Sequence, residues 1–320
     1  MQEERIVITD DSEARKLFGK HDENLRKVEK ALGVSTAFKD GELKITSNDD
    51  KGLIKAVDII NEFLLVIRKG GELSSRDVGY SLKAEDPGMA LNSIFLDRIE
   101  VSSKRAYIAP RSAGQKKYID AIRRNDIVFC IGPAGTGKTY LAMAMAVNAL
   151  KKNLVTRIIL TRPAVEAGES LGFLPGDMYE KVNPYLRPLY DALYDMVEPH
   201  KAREYMEEGI IEVAPLAFMR GRTLNDSYII MDEAQNSTRE QMKMFLTRLG
   251  FGAKTVITGD ITQSDLPRGK QSGLVHASDL LSGIEGIEFV TLKGEDVVRH
   301  ELVQEIIKVY KSEEEASNDR

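Results

Sequence analysis

The first 70 residues contain a short apolar run followed by apolar residues at helical spacing. Residues 5–8 form a strand candidate. Apolar side chains then return every three or four positions, as on one face of a helix, and Gly33 marks its end because glycine is common just after a helix. The apolar positions are Ala14, Leu17, Phe18, Leu25, Val28, Ala31 and Leu32. The pattern predicts one strand followed by one helix.

A hairpin and a second helix complete this segment. Two strand candidates, 34–39 and 42–46, are joined by an Asp-Gly dipeptide, which is typical of tight β-hairpin turns. A helix is then predicted from about 51 to 68, before a pair of glycines. Helices on one face of a short sheet make a small α+β domain at 1–70.

The rest of the chain divides into three stretches. Periodicity is lost over 71–110, where serine, glycine and proline interrupt the pattern, and this stretch is interpreted as a linker with partial order. From 111 to 311, strands alternate with helices, which is typical of an α/β fold with a mainly parallel sheet. The acidic end, 312–320, is predicted to be disordered.

Composition and charge exclude some classes of protein. The chain has 320 residues and a formal net charge of -5, so any contact with nucleic acid must be made by a local patch rather than by bulk charge. No apolar run approaches the length of a membrane span, and the N-terminus does not resemble an export signal. The single cysteine, Cys130, lies in an apolar run and is interpreted as a core residue. We therefore expect a cytoplasmic protein without membrane contacts.

Residues 132–139 match the phosphate-binding pattern G-x-x-x-x-G-K-[ST], between a predicted strand and a predicted helix. Glycines let backbone N–H groups approach phosphates closely, and the helix N-terminus adds positive charge. Lys138 is expected to contact the β- and γ-phosphates of ATP, and the Thr139 hydroxyl to bind Mg²⁺. The predicted nucleotide-binding residues are Gly132, Pro133, Ala134, Gly135, Thr136, Gly137, Lys138 and Thr139.

A second apolar strand candidate, 228–231, ends in two adjacent carboxylates. Asp232 is expected to hold Mg²⁺, and Glu233 to act as general base toward a water molecule. A charged strand end facing solvent is the alternative interpretation. Because transfer to a substrate hydroxyl does not require an activated water, the adjacent glutamate favours ATP hydrolysis over phosphoryl transfer to a small molecule.

Four further residues are candidates for nucleotide contacts. A strand candidate, 254–260, would end at the same edge of a parallel sheet, so that Thr258, Asp260 and Gln263 could sense the γ-phosphate. A simple Gly-Asp turn is the alternative. Gln115 precedes the first core strand and is a candidate for recognising the adenine edge, with a surface glutamine as the alternative.

These motifs, in this order, resemble the PhoH-like ATPases, whose core is related to that of superfamily 1 helicases. The resemblance is tight over about 111–311 and loose over 1–70. It implies a P-loop NTPase with a RecA-like, superfamily 1 helicase-like parallel sheet, preceded by a small α+β KH-like domain. The blocks that carry the resemblance are Gly114-Gln115, 132–139, 161–169, 171–177, 232–236 and 258–260.

The KH-like part of the resemblance has one departure. A KH domain clamps nucleic acid with a Gly-x-x-Gly loop, and the corresponding stretch here is Gly19-Lys-His-Asp22. Since the second glycine is missing, RNA binding by this domain and a pure packing or docking role both stay open.

The family resemblance also implies cofactors and partners. It implies a cytoplasmic protein that uses ATP and Mg²⁺, is linked to RNA metabolism, is associated with a small endoribonuclease and forms a ring-shaped homo-oligomer such as a hexamer. In the family pattern, Arg162 and Glu166 would line a nucleic-acid or coupling face, although a salt-bridged surface explains them equally well.

A charge-stabilising arginine is also expected. Related helicases place ATP between two core domains, whereas this chain has one phosphate loop, so the arginine would come from elsewhere in the fold or from a neighbouring subunit. Arg299, near the end of the core, is the candidate, and a helix surface charge is its alternative.

Two functions follow as hypotheses. The first is an ATPase coupled to RNA metabolism, such as an RNA helicase or remodelling enzyme. The alternative is a non-motor factor in which ATP drives assembly or recruits a partner such as an endoribonuclease, and hydrolysis only resets the complex.

Overall fold

The computed structural model describes most of the chain and divides it into two compact units. One unit comprises residues 1–98 and 109–113, and the other comprises 99–108 and 114–320. The described residues are 2–69, 73, 75–83, 97–102, 107–163, 178–267, 270–298, 302, 303, 306 and 310.

The N-terminal unit is built on a small antiparallel sheet with its third strand in the centre, in the order β1-β3-β2. Leu43 and Ile45 of the central strand are fully buried and belong to the same core as Ile59 and Phe63 of the long helix α3. The elements are β1 (Gln2–Val7), α1 (Asp11–Phe18), α2 (Glu23–Leu32), β2 (Ser35–Lys39), β3 (Glu42–Ser47), α3 (Asp50–Arg68) and α4 (Ser75–Lys83). The predicted hairpin and second helix are confirmed.

The prediction of a single helix before Gly33 is wrong, because two helices occupy that stretch. Helix α1 ends at Phe18 and is capped by Gly19, whose φ is 74°, and a short turn follows in which His21 and Asp22 also have positive φ. Phe18 and Leu25 are seven residues apart, close to two helical turns, so the apolar spacing continues across the break. Periodicity alone therefore could not reveal it.

The second unit contains, within the described residues, a parallel sheet of six strands in the order β11-β6-β10-β9-β7-β8. A separate antiparallel pair, β4 and β5, precedes it along the chain. The strands are β4 (Ile99–Glu100), β5 (Tyr107–Ile108), β6 (Ile127–Ile131), β7 (Arg157–Arg162), β8 (Ile211–Pro215), β9 (Ser227–Met231), β10 (Lys254–Gly259) and β11 (Ile287–Thr291).

Helices cover both faces of the parallel sheet. Alternate strand residues point to opposite sides, so Val128 and Cys130 of β6 join one apolar core while Phe129 joins the other. The first core includes residues of α5 (Ala113–Arg124), α6 (Lys138–Lys151), α7 (Met178–Met196) and α8 (Pro199–Glu207), and the second includes residues of α9 (Arg239–Leu246) and α10 (Gly273–Leu281). The fold is the α/β fold with a parallel sheet that the sequence predicts, and the phosphate-binding pattern follows its strand β6.

The stretch 71–110, interpreted from the sequence as a linker with partial order, contains regular elements in its described parts. Val78 of α4 is buried in the core of the N-terminal unit. Residues 99–102 belong to the second unit, within which Asn148 of α6 donates a hydrogen bond to the Glu100 carbonyl oxygen at 2.9 Å. The predicted disordered end, 312–320, lies outside the described residues. In the described part of the chain, no helix has both the length and the apolar composition that a membrane span requires.

Strand order decides where the functional residues meet. Strand β10 lies between β6 and β9, and all three run in parallel. Because parallel strands present their carboxyl ends at one edge of the sheet, the residues after Ile131, Met231 and Gly259 share that edge.

Candidate nucleotide site

The glycines of the loop 132–137 give it a shape that other residues could not adopt without strain. Gly135 and Gly137 have φ values of 84° and 80°, in the left-handed region that favours glycine. A Cβ atom at position 132 would lie 2.6 Å from the carbonyl oxygen of Leu292, which is backbone and cannot move aside easily. The loop leads directly into α6, whose N-terminus attracts anions.

Lys138 lies over this loop. Its ammonium group donates hydrogen bonds to the carbonyl oxygens of Gly132 at 2.6 Å and Pro133 at 3.0 Å. Lys138 therefore lies beside the loop, and its contact with the β- and γ-phosphates stays a prediction.

Residues outside the loop also donate hydrogen bonds to its carbonyl oxygens. The Gln115 amide, which is buried, donates to the Thr136 carbonyl oxygen at 2.9 Å. The backbone N–H of Val298 donates to the Gly135 carbonyl oxygen at 2.9 Å. Gln115 thus contacts the phosphate loop itself, and its contact with adenine stays a prediction.

Asp232 brings three chain segments together. It is 6% exposed, and its Oδ1 accepts hydrogen bonds from the hydroxyl groups of Thr139 and Thr258, both at 2.6 Å. The hydroxyls come from the start of α6 and from β10. The structure therefore places the two predicted metal ligands, Thr139 and Asp232, in direct contact.

This donor set fits Mg²⁺. Magnesium prefers hard oxygen ligands and is usually held by one or two protein groups together with water and substrate phosphates. The Thr139 hydroxyl and the Asp232 carboxylate provide such oxygens beside the phosphate loop. Thr139 and Asp232 would hold the ion.

Glu233 has an unusual backbone conformation. Its φ of 52° and ψ of 41° lie in the left-handed region, which costs a residue other than glycine on the order of 1 kcal/mol. Its carboxylate accepts a hydrogen bond from the Gln235 amide at 2.5 Å and lies 3.8 Å from the Arg162 guanidinium. The side chain is 35% exposed, so water can reach it.

Comparison with known proteins gives the family. The family described as "PhoH-like protein" matches residues 107–311. A PhoH-like protein of Bacillus subtilis is 53% identical over 300 residues, which cover 93% of this chain and 94% of the relative. A PhoH-like protein of Mycobacterium tuberculosis is 52% identical over 306 residues, covering 93% and 85%. The chain belongs to the PhoH-like family.

One solved structure similar to this PhoH-like protein is the UvsW helicase of bacteriophage T4. The two are 14% identical, the match covers 79% of this chain and 84% of the helicase, and the TM-score is 0.39.

A polar cavity of about 390 Å³ lies beside Glu233 in this PhoH-like protein. Its wall includes Gln263, one of the predicted γ-phosphate sensors, together with Arg162, Glu233, Gln235, Asn236, Thr262, Ser264 and Asp265. Asp260, a second predicted sensor, accepts hydrogen bonds from the backbone N–H and hydroxyl of Thr262. This is a turn contact, as in the alternative interpretation, and contact of either residue with the γ-phosphate stays a prediction.

Some predicted site residues lie outside the described part of the chain, and one residue that contacts Glu233 was not predicted. Arg299 lies outside the described residues, as do Glu166 and the rest of 164–177 in the blocks 161–169 and 171–177 that carry the family resemblance, and their roles stay predictions. Gln235 was not singled out from the sequence, although it contacts both Glu233 and the loop after β10. The sequence holds one signal for such a role, because Gln235 lies two residues after Glu233, the carboxylate expected to act as base.

Proposed function

We propose that this PhoH-like protein binds Mg-ATP and hydrolyses it. The observation that supports the proposal is the 2.6 Å hydrogen bond between Thr139 and Asp232, 93 residues apart, beside the phosphate loop. The two motifs predicted to bind phosphate and metal are therefore adjacent in the fold, which supports a shared site. A P-loop NTPase fold in a PhoH-like chain is consistent with this chemistry.

Each residue has a distinct role in the proposed reaction. Lys138 turns from the loop carbonyls to the β- and γ-phosphates and stabilises their negative charge. Thr139 and Asp232 hold Mg²⁺, which when bound neutralises charge on the same phosphates. Glu233 orients the attacking water and accepts its proton. A water nucleophile makes the reaction a hydrolysis.

A nucleotide-binding and ATPase assay on three variants tests this proposal. Lys138→Ala is expected to weaken ATP binding and abolish turnover. Glu233→Gln is expected to keep ATP binding and to lower kcat by about 10²–10⁴-fold, the usual contribution of a general base. Glu240→Gln, an exposed glutamate on α9, is the matched control and should behave like the wild type. Wild-type turnover in Glu233→Gln would contradict the assigned base.

We further propose that the ATPase is coupled to RNA through the N-terminal unit. The loop between α1 and α2 supports this, because Lys20 and His21 are exposed there and Gly19 precedes them. Asp22, which replaces the second glycine of a KH loop, has a φ of 59°, a conformation that glycine adopts without strain. The loop therefore has a backbone suited to a Gly-x-x-Gly sequence.

Single-stranded RNA added to the ATPase assay tests the coupling. RNA is expected to raise turnover, and Lys20→Ala to increase several-fold the RNA concentration needed, because a phosphate contact is lost. Lys39→Ala, in an exposed position beside the β2–β3 turn, is the matched control. Absence of both RNA binding and stimulation would exclude this part of the proposal.

The alternative is a non-motor factor that recruits a partner such as an endoribonuclease. The net charge of -5 favours it, because bulk attraction to RNA is absent. If Glu233→Gln still binds the partner and restores function in cells, hydrolysis only resets the complex. Loss of function with intact partner binding would favour a motor.

A further inference from the structure

Gln235 makes three hydrogen bonds from a buried position. The side chain is 1% exposed. Its Nε2 donates to the Glu233 carboxylate at 2.5 Å and to the Gln263 carbonyl oxygen at 3.0 Å, and its Oε1 accepts from the Asp260 backbone N–H at 3.0 Å. The amide therefore connects the end of β9 to the loop that follows β10.

These partners determine the orientation of the amide. Both N–H groups of Nε2 face acceptors, and Oε1 faces a donor. The reversed amide would place oxygen against two acceptors and nitrogen against a donor, which makes all three contacts unfavourable. Only one orientation of the Gln235 amide satisfies this environment.

Gly259 allows the amide to approach so closely. A Cβ atom at position 259 would lie 2.9 Å from Gln235 Oε1 and 2.5 Å from a methyl carbon of Leu274. A larger residue there would push the amide away from the end of β10. The close contact therefore depends on both Gln235 and Gly259, which lie in separate segments of the chain.

Glu233 needs such a contact to stay in place. Its carboxylate is partly exposed, its backbone is in a strained conformation, and the Arg162 guanidinium is 3.8 Å away. An ion pair at that distance, between two partly exposed side chains, constrains a carboxylate weakly. The short bond from Gln235 is the stronger constraint on the direction of the carboxylate.

We propose that Gln235 is a positioning residue for hydrolysis. Its amide fixes the Glu233 carboxylate relative to the backbone of Asp260–Gln263. The proposed base, Glu233, and the predicted γ-phosphate sensor, Gln263, are thereby correctly spaced. This inference rests on the proposed ATPase function and deepens it. Gln235 itself contacts neither the phosphate loop nor the metal ligands in the bonds described.

Gln235→Glu distinguishes a positioning role in hydrolysis from a role in the stability of the fold alone. It places a second carboxylate beside Glu233, with Arg162, Asp260 and Asp265 as the other charged groups around the amide. A carboxylate at position 235 has no N–H group to donate, so it cannot hold the Glu233 carboxylate in place. Gln235→Glu should therefore lower kcat by about 10-fold or more and leave KM within about twofold.

A matched control and an uncharged variant complete the experiment. Gln241→Glu makes the same chemical change at an exposed position of α9, where glutamate also suits the capping box, and should leave kcat and KM unchanged. Gln235→Leu removes the three bonds without adding charge. It should lower kcat by about 10-fold or more, leave KM within about twofold, and leave ADP affinity unchanged.

The outcomes separate this inference from the proposed function. A Gln235→Glu or Gln235→Leu variant with wild-type kcat overturns the positioning role. If Gln235→Glu does not fold or bind ADP, Gln235→Asn replaces it. That variant retains the amide on a shorter side chain and must lower kcat at constant KM. Wild-type protein that hydrolyses ATP no faster than Lys138→Ala overturns the proposed function and this inference with it.

Discussion

The Asp232 carboxylate accepts hydrogen bonds from the hydroxyl groups of two threonines, Thr139 and Thr258. Valine has nearly the shape of threonine without the hydroxyl group, so a valine substitution tests each hydrogen bond. Thr139 belongs to the phosphate-binding pattern, so its role could be predicted from the sequence. Thr258 was predicted only as a γ-phosphate sensor, whereas the structure places its hydroxyl 2.6 Å from the Asp232 carboxylate. Its bond helps to fix the carboxylate that would hold Mg²⁺.

Thr258→Val is expected to lower kcat/KM for ATP by about tenfold or more, since a hydrogen bond to a charged group contributes about 1.5–3 kcal/mol. Thr255→Val is the matched control on the same strand. Thr255 is fully buried, and no described residue bonds its hydroxyl, so valine should keep activity and leave stability equal or higher. Steady-state ATPase assays and thermal melts measure both effects. Equal losses in the two variants would contradict the role of Thr258.

A second residue-scale prediction concerns acid stability. The Arg68 guanidinium, followed by the Thr9 backbone and hydroxyl, lowers the pKa of the buried Glu13 carboxyl to about 2, while burial acts in the opposite direction. Because the pKa is lower in the folded state than in the unfolded state, this stabilisation is complete above the ordinary value of 4.5 and decreases as the pH falls toward about 2.

Glu13→Gln should therefore destabilise the N-terminal unit at pH 7, by about 1–3 kcal/mol, and flatten its pH dependence below about pH 5. Urea unfolding at several pH values measures both. Glu4→Gln, at an exposed position of β1, is the control and should keep the wild-type slope. An unchanged slope in Glu13→Gln would refute the assignment.

At the scale of elements, alternation and helical spacing predicted the type of most segments but not every boundary. The central strand β3 alternates buried Leu43, Ile45 and Ser47 with partly exposed residues, which is the period the sequence shows. The break between α1 and α2 was missed because the same apolar spacing continues across it. Its local signal was Gly19, which adopts a left-handed conformation at the end of α1.

Two helical glycines test the packing of these elements. A Cβ atom on Gly52, in the first turn of α3, would lie 2.5 Å from the Leu32 carbonyl oxygen of α2, whereas Gly79 in α4 has no atom within 4 Å of that position. Gly79→Ala should stabilise the protein by about 0.5–1 kcal/mol through helix propensity. Gly52→Ala should destabilise it by about 1–3 kcal/mol, because the two helices must separate. Chemical denaturation measures both, and stabilisation by Gly52→Ala would show that the contact is loose.

At the scale of the whole molecule, the two units have separate buried cores. Phe63 and its neighbours form the core of the N-terminal unit, and the two faces of the parallel sheet form the cores of the second. The predicted nucleotide-binding and metal-binding residues in the described part of the chain all belong to the second unit. Nucleotide binding can therefore be assigned to the second unit, and each unfolding transition to one of the two units.

Calorimetry of the full chain should show two unfolding transitions. Mg-ADP at about 100 times its Kd should stabilise only the transition of the second unit, by about 2.7 kcal/mol. Glu13→Gln should lower only the other transition. Lys138→Ala, which is expected to lose nucleotide affinity, should show no shift with Mg-ADP. A single transition that responds to both changes would mean that the units unfold together.

The sequence by itself determined the fold class and the places of the phosphate-binding pattern and of the paired carboxylates, because these depend on residue type, short spacing and local periodicity. Only the tertiary structure decided which side chains meet. Thr139, Asp232 and Thr258 share one carboxylate oxygen, and Gln235 links Glu233 to the loop after β10, because β10 lies between β6 and β9. Strand order and register arise from the packing of distant segments, so short-range patterns do not contain them.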